Sequence, residues 1–266
     1  MKIHNESGFH VDFKDMNPLL FDFQKFCVQR ALKHGRYALF EDTGLGKTIQ
    51  QIEWAFQVHK HTGKKVLILC PLAVKGQTLE EARKFGYIPE NFMEIWNYEQ
   101  LDNLNADDYS GVVLDESSIL KNFDGAYKKK IIDVFSNYHY KLACTATPSP
   151  NDPEELGNHS EFLNVMSRTE MLAMYFVHDA GDTGDWRIKG HAVRHFWEFV
   201  SSWSIMVTNP ADIGFPMAGY ELPPLNIVDH KIETENKNEG NLFNDSAVSA
   251  TDFNGELRRT MNEREL

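Results

Sequence analysis

Residues 40–48 of this chain read Phe40-Glu41-Asp42-Thr43-Gly44-Leu45-Gly46-Lys47-Thr48. A short apolar run that is typical of a strand precedes them, and residues 49–55 are compatible with a helix. A strand, a glycine turn, Gly-Lys-Thr and a helix are the context of a phosphate-binding loop. The strict motif has a glycine where this chain has Glu41, so the loop alone leaves two interpretations open: a phosphate-binding loop or a structural turn.

The chemistry of such a loop gives each residue type a reason. Glycines at 44 and 46 let the backbone bend so that successive N–H groups point at phosphate oxygens. The N-terminus of the next helix adds a partial positive charge. Lys47 is long enough to reach the β- and γ-phosphates, and the Thr48 hydroxyl is a ligand for Mg²⁺. The predicted nucleotide-binding residues of the loop are Thr43, Gly44, Leu45, Gly46, Lys47 and Thr48.

A second apolar run, residues 111–114, ends in the carboxylates Asp115 and Glu116. A continuous apolar run is typical of a buried parallel strand. A phosphate loop needs acidic side chains at the metal and at the attacking water. Asp115 is therefore predicted to hold Mg²⁺, and Glu116 to orient or deprotonate the water. The alternative is a strand whose exposed end happens to carry Asp-Glu. The predicted catalytic residues are Lys47, Asp115 and Glu116.

Strand-like and helix-like segments alternate along most of the chain. The pattern predicts strands at 66–70, 92–96, 111–115 and 141–145, and helices at 23–34, 48–61, 77–85 and 125–137. Such alternation is typical of an α/β fold with a mainly parallel sheet and helices on both faces. Ligands in these folds bind at the carboxyl ends of the strands, where both motifs are expected.

Six segments together resemble the motifs of one protein family. Residues 40–50 resemble the Asp-Glu-Met-Gly-Leu-Gly-Lys-Thr motif of Swi/Snf-like superfamily 2 helicases and translocases, which also lack the glycine that is missing at Glu41. Residues 114–122 resemble the acidic box of the same group, with Ser-Ser where Ala-His is usual. The other similar segments are 20–24, 66–71, 97–99 and 142–151, and the match covers roughly residues 19–157. The resemblance is closest to the Swi/Snf-like group and its phage-encoded relatives.

The resemblance implies a RecA-like P-loop fold, ATP and Mg²⁺ as cofactors, and DNA as a partner, with RNA possible. It implies that Gln24 reads the adenine edge, since an amide offers a donor and an acceptor together. Pro71 and Lys75 would contact the nucleic-acid backbone, and Thr145 and Thr147 would couple the acidic box to the nucleic-acid side. Simpler interpretations stay open: an exposed helix residue for Gln24, a solvated loop lysine for Lys75, and a strand end for the two threonines.

The domain organisation follows from the same resemblance. Residues 1–225 are expected to form the first RecA-like ATP-binding helicase domain, and residues 226–266 a linker and the start of a missing second domain. In the resembled enzymes the second domain supplies an arginine finger, which is worth roughly 10³–10⁵ in rate in related P-loop enzymes. The chain alone is therefore expected to be weakly active, as a truncation, as one half completed by another polypeptide, or as a protein without motor activity.

Composition and charge restrict the class of protein. No apolar run approaches the ~20 residues that a membrane span requires, and the N-terminus is not a signal peptide. Three widely spaced cysteines indicate buried thiols in a reducing cytoplasm, and the resemblance to phage-encoded relatives implies a bacterial or phage-infected cell. The net charge is −12, but residues 1–150 carry 18 Lys+Arg against 19 Asp+Glu, whereas residues 151–266 carry 9 against 20. The acidic excess lies outside the motifs, which reduces its conflict with a nucleic-acid partner, but the net negative charge still predicts weak DNA binding by the chain alone.

The sequence therefore predicts an ATP-binding helicase-type motor domain. It would couple ATP hydrolysis to DNA translocation or remodelling when a second RecA-like domain completes it. The alternative is a non-catalytic module that binds ATP as a switch or interacts with a partner without turnover.

Overall fold

A computed structural model describes residues 6–122, 125–149, 152–178, 186–217 and 219–220. These residues belong to one compact unit, Met1–Glu221. The predicted linker at 226–266 lies outside the described residues, as does Asn151 of the last motif, so the domain boundary stays a prediction.

The described chain contains one large sheet and one small one. Six parallel strands form the large sheet in the order β3-β2-β4-β5-β1-β8, and β6 pairs with β7 in an antiparallel hairpin. The strands are β1 (Arg36–Glu41), β2 (Lys65–Cys70), β3 (Met93–Asn97), β4 (Tyr109–Asp115), β5 (Tyr140–Thr145), β6 (Phe176–His178), β7 (Trp186–Ile188) and β8 (Ser204–Val207).

Helices cover both faces of the large sheet, because its strands are apolar on both sides. In β1, Tyr37 and Leu39 belong to a core shared with α1 and α2, whereas Ala38 and Phe40 belong to a second core shared with α6, α7 and α8. The α-helices are α1 (Asp22–His34), α2 (Lys47–Thr62), α3 (Lys75–Lys84), α4 (Ile119–Asn122), α5 (Gly125–Val134), α6 (Leu156–Phe162), α7 (Arg168–Tyr175) and α8 (Val193–Ser201). The predicted α/β fold with a mainly parallel sheet is confirmed.

The predicted elements are present with small shifts at their ends. The helix expected at 77–85 begins two residues earlier, at Lys75, and the one expected at 125–137 ends at Val134. Strand β8, which pairs with β1 along Ala38–Glu41, was not predicted. It has only four residues and no period of its own, so the neighbouring strand decides its conformation.

The strand order determines which loops meet. Strand β5 lies between β4 and β1, and Cys144 of β5 is paired with Asp115 while Thr145 is paired with Phe40. Since these strands are parallel, the loops that follow all three lie along one edge of the sheet. No helix among the described residues combines the length and the apolar character that a bilayer span requires.

Candidate functional site

The loop between β1 and α2 has the backbone conformation that its glycines permit. Gly44 and Gly46 have φ angles of 85° and 79°, in the left-handed region that side chains with a Cβ rarely adopt. A Cβ on Gly46 would also overlap Gln24 Nε2, so the Gln24 side chain would have to move to admit one. Gly44 is exposed, with nothing within 4 Å of such a Cβ, and the outer side of the loop is therefore open to a ligand.

Lys47 begins α2 and reaches back over the loop. Its Nζ donates to Glu41 O at 2.8 Å and to Asp42 O at 2.9 Å. Thr48, the next residue, lies in the first turn of the same helix and is half-buried. The ammonium and the hydroxyl that the sequence assigns to phosphate and metal thus lie at the N-terminus of a 16-residue helix, where an anion is stabilised.

Glu41 replaces the glycine of the strict motif and is fully buried at the end of β1. Gln50 Nε2 of α2 donates to its carboxylate at 2.6 Å. Burial raises the pKa of Glu41 to about 7, against the opposing effect of that hydrogen bond. The side chain therefore links β1 to α2 beneath the loop instead of contacting the open side.

Asp115 ends β4 and is tied to the helix that carries Lys47. Gln51 Nε2 donates to Asp115 Oδ1 at 2.8 Å, and the Tyr98 hydroxyl donates to Asp115 O at 2.7 Å. Burial raises the pKa of Asp115 above its usual value. Gln51 lies one helical turn after Lys47, so one helix positions both the lysine and the acid. Sequence reasoning missed Gln51, although its place four residues after Lys47 was a usable signal.

Glu116 follows Asp115 and is joined to the end of β5. Its Oε1 accepts from Thr145 Oγ1 at 2.7 Å and from Ser118 Oγ at 2.6 Å. Thr147 N in turn donates to Thr145 Oγ1 at 3.0 Å. Successive hydrogen bonds therefore connect the acidic box to the Thr145–Thr147 segment. A strand that simply ended at Thr145 would not need these side-chain bonds.

Gln24 of α1 lies beneath the loop. It is only 3% exposed, so it is not the exposed helix residue that the sequence also allowed. Its Nε2 donates to Leu45 O at 3.0 Å, and its Oε1 accepts from Phe21 N at 3.1 Å. The Tyr220 hydroxyl lies 3.4 Å from the same Nε2. Gln24 thus contacts the phosphate loop, and its role toward adenine stays a prediction.

Pro71 and Lys75 follow β2 at the same edge, one strand beyond β4. Pro71 precedes a short 3-10 turn, and Lys75 begins α3. Leu72 between them is 71% exposed, so this loop presents an accessible surface. The structure places both residues at the predicted edge but does not bring them to the phosphate loop.

The residues at this edge fit a magnesium–nucleotide complex. Among the described residues, no cluster of three or more His, Cys, Asp or Glu side chains could hold a metal by itself. Mg²⁺ usually keeps several waters and binds through one or two carboxylates together with substrate phosphates. Asp115 and the Thr48 hydroxyl supply hard oxygen ligands of that kind, next to a helix N-terminus that favours phosphate.

Comparison with known proteins gives relatives but no matching family model. The mouse DNA annealing helicase and endonuclease ZRANB3 is 27% identical over 57% of this chain and 17% of its own length. A Caenorhabditis elegans homologue of the SWI/SNF-related matrix-associated actin-dependent regulator of chromatin subfamily A-like protein 1 is 29% identical over 52% of this chain and 23% of its own. The chain thus spans about a fifth of the length of these relatives.

Solved structures share the fold. The Sulfolobus solfataricus SWI2/SNF2 ATPase core in complex with double-stranded DNA superposes with a TM-score of 0.58 and 22% identity, over 73% of this chain and 45% of that one. The SWI2/SNF2 ATPase core domain of the same organism gives a TM-score of 0.55 and 21% identity, over 80% and 50%. The chain is thus similar in sequence to ZRANB3 and to a SWI/SNF-related protein, and it shares the RecA-like α/β fold of the SWI2/SNF2 ATPase core.

Proposed function

We propose that this chain is an ATP-binding helicase-type motor domain, which hydrolyses ATP to ADP and phosphate. A second RecA-like domain, in the same protein or in another chain, would complete it and couple hydrolysis to DNA translocation or remodelling. The observation that carries the proposal is the connected arrangement at one sheet edge. There Gln51 joins the Lys47 helix to Asp115, and Thr145 joins Glu116 to the following segment.

Each residue at the edge has one chemical task in this proposal. The backbone of residues 44–48 and the Lys47 ammonium bind the phosphates, and Gln24 orients the adenine. Thr48 and Asp115 hold Mg²⁺, which when bound neutralises charge on the phosphates. Glu116 accepts a proton from the attacking water, or orients that water, at its carboxylate. Thr145 and Thr147 couple the position of Glu116, through their hydrogen bonds, to the segment on the nucleic-acid side.

DNA is the proposed nucleic acid, with RNA as the less supported choice. ZRANB3 is named as a DNA annealing helicase, and one superposed ATPase core was solved with double-stranded DNA. Pro71 and Lys75 would contact the phosphate backbone through the exposed loop after β2. We also propose a cytoplasmic location, which is supported by the buried, free thiols of Cys27, Cys70 and Cys144. The proposal that the cell is bacterial or phage-infected rests only on the resemblance to phage-encoded relatives.

Calorimetric titration of Mg·ATP and Mg·ADP into the 266-residue chain, beside Lys47→Ala, tests the nucleotide site. We expect binding by the wild type, loss of ATP binding in the variant, and slow phosphate release that DNA stimulates little, because the arginine finger would come from the second domain. Binding without any turnover would favour the non-catalytic switch. No binding at all would refute the proposed site, and strong DNA-stimulated turnover by a verified monomer would refute the need for a second domain.

A further inference from the structure

A buried pair of polar side chains lies directly behind the acidic box. Ser117 Oγ and His159 Nε2 are 3.0 Å apart, and both residues are completely shielded from solvent. Ser117 is the residue after Glu116, whereas His159 belongs to α6, 42 positions further along the chain. Burial makes such a hydrogen bond costly to break, since water cannot replace either partner.

The turn that this pair adjoins has an unusual backbone. Glu116 has a φ of 56°, in the left-handed region. A residue with a Cβ adopts that conformation at an energetic cost, and it persists only where the surrounding contacts enforce it. Ser117 N donates to Cys144 O at 2.8 Å, and Ile119 N donates to Glu116 O at 3.1 Å. The Ser117 side chain adds a buried hydrogen bond from this turn to His159 of α6.

His159 is well placed to hold the turn rigidly. The edge of its ring packs against Phe40 of β1, with ring centroids 5.1 Å apart and planes at 82°. Phe40 is the last residue but one of the strand that leads into the phosphate loop. His159 therefore touches the phosphate-loop strand with its ring and the acidic-box turn with its Nε2, while its backbone belongs to α6.

We propose that His159 is a positioning residue for hydrolysis. Through its hydrogen bond to Ser117, it enforces the left-handed turn at Glu116 and so determines where the Glu116 carboxylate lies relative to the nucleotide. The inference rests on the proposed ATPase function. The inference goes beyond that function because it assigns a positioning role to a side chain that is not one of the proposed nucleotide or metal ligands.

The test is a double-mutant cycle in the full chain with Ser117→Ala, His159→Leu and both together. The hydrolysis rate is measured in single-turnover reactions of ATP with protein in excess. The Kd for Mg·ATP is measured by calorimetry. A displaced Glu116 should slow hydrolysis about tenfold to a hundredfold, since an error of about 1 Å in a reacting group has effects of that size. The Kd should change less than about twofold, because Glu116 is not expected to bind the ground-state phosphates.

The pattern among the variants distinguishes positioning from a general loss of stability. If one hydrogen bond carries the effect, both single variants and the double variant lose rate to a similar extent. His159→Gln, whose amide can occupy the place of Nε2, should retain most of the wild-type rate. His34→Leu is the matched control: His34 is a buried histidine bonded to Arg30 O near the start of β1, at the opposite sheet edge. It should lower the melting temperature without changing the rate.

A second readout does not depend on turnover. Hydrogen exchange of the Ser117 amide should become at least about tenfold faster in His159→Leu and stay slow in His159→Gln. Unchanged exchange together with an unchanged rate would overturn the inference, as would a rate loss that only follows Kd. ATP binding without hydrolysis by the wild type would contradict the proposed function instead, and the exchange data would still decide whether His159 holds the turn.

Discussion

Single residues in this site act through their hydrogen bonds to neighbouring elements. Gln51 is the clearest case, because its amide fixes the carboxylate that is proposed to hold the metal. Residues of this kind, which orient a metal ligand without touching the metal, change affinity by roughly 10–100-fold when removed. The position of the Asp115 carboxylate therefore depends on Gln51, a residue that belongs to none of the sequence motifs.

We predict that Gln51→Leu raises the Mg²⁺ concentration needed for tight ATP binding about tenfold, since Asp115 is no longer held in place. Calorimetric titration of ATP over a series of Mg²⁺ concentrations measures this. Gln57→Leu is the control, because Gln57 lies on the same helix but bonds to Asp15 O and Glu53, away from the site. An equal shift in both variants would show that the effect comes from the helix as a whole.

At the scale of elements, α6 is docked on the sheet by two buried polar contacts. In the middle of α6, His159 forms a hydrogen bond with Ser117 after β4. At its last residue, Lys141 Nζ of β5 donates to Phe162 O at 2.8 Å and lies over the Phe162 ring. Lys141 is fully buried, and no described salt bridge involves it. Burial lowers its pKa to about 7, so the helix is docked by an amine that titrates near neutrality.

This depressed pKa makes stability depend on pH. Between about pH 7 and the usual lysine value near 10.5, the unfolded chain binds a proton at Lys141 that the folded chain does not. Stability therefore rises with pH across this window, by up to about 1.4 kcal/mol per pH unit from this group. We predict that Lys141→Met removes this rise, measured by urea unfolding at pH 7.5 and 9.5. The exposed Lys129→Met should retain the wild-type slope, and the same slope in Lys141→Met would contradict the assignment.

At the scale of the whole molecule, an acidic chain carries a surface proposed for DNA. The net charge of −12 is concentrated in residues 151–266, whereas the motif-bearing residues are nearly balanced. Exposed charges more than about 8 Å apart are largely screened at physiological salt. Affinity should therefore depend on the few cations at the carboxyl edge of the sheet.

We predict weak binding of duplex DNA whose dependence on salt is carried partly by Lys75. Lys75→Gln should weaken binding and reduce the slope of log affinity against log salt by about one, as expected for one lost phosphate contact. Fluorescence anisotropy at salt concentrations of about 50 to 200 mM measures the DNA affinity and its dependence on salt. Lys64→Gln is the control, since Lys64 precedes β2 at the opposite sheet edge. Equal slopes in both variants would remove Lys75 from the interface.

The sequence by itself determined the repeating elements and the residues at the carboxyl edge. Strand and helix periods, the Gly-Lys-Thr turn and the Asp-Glu pair are local patterns, so Lys47, Thr48, Asp115 and Glu116 could be named without a structure. Tertiary structure alone decided what holds them. The strand order that inserts β5 between β4 and β1 brings Thr145 to Glu116, and the packing of α2 and α6 brings Gln51 to Asp115 and His159 to Ser117. Such pairs join residues 29 to 64 positions apart, and hydrogen bonds over that separation leave no period in the chain.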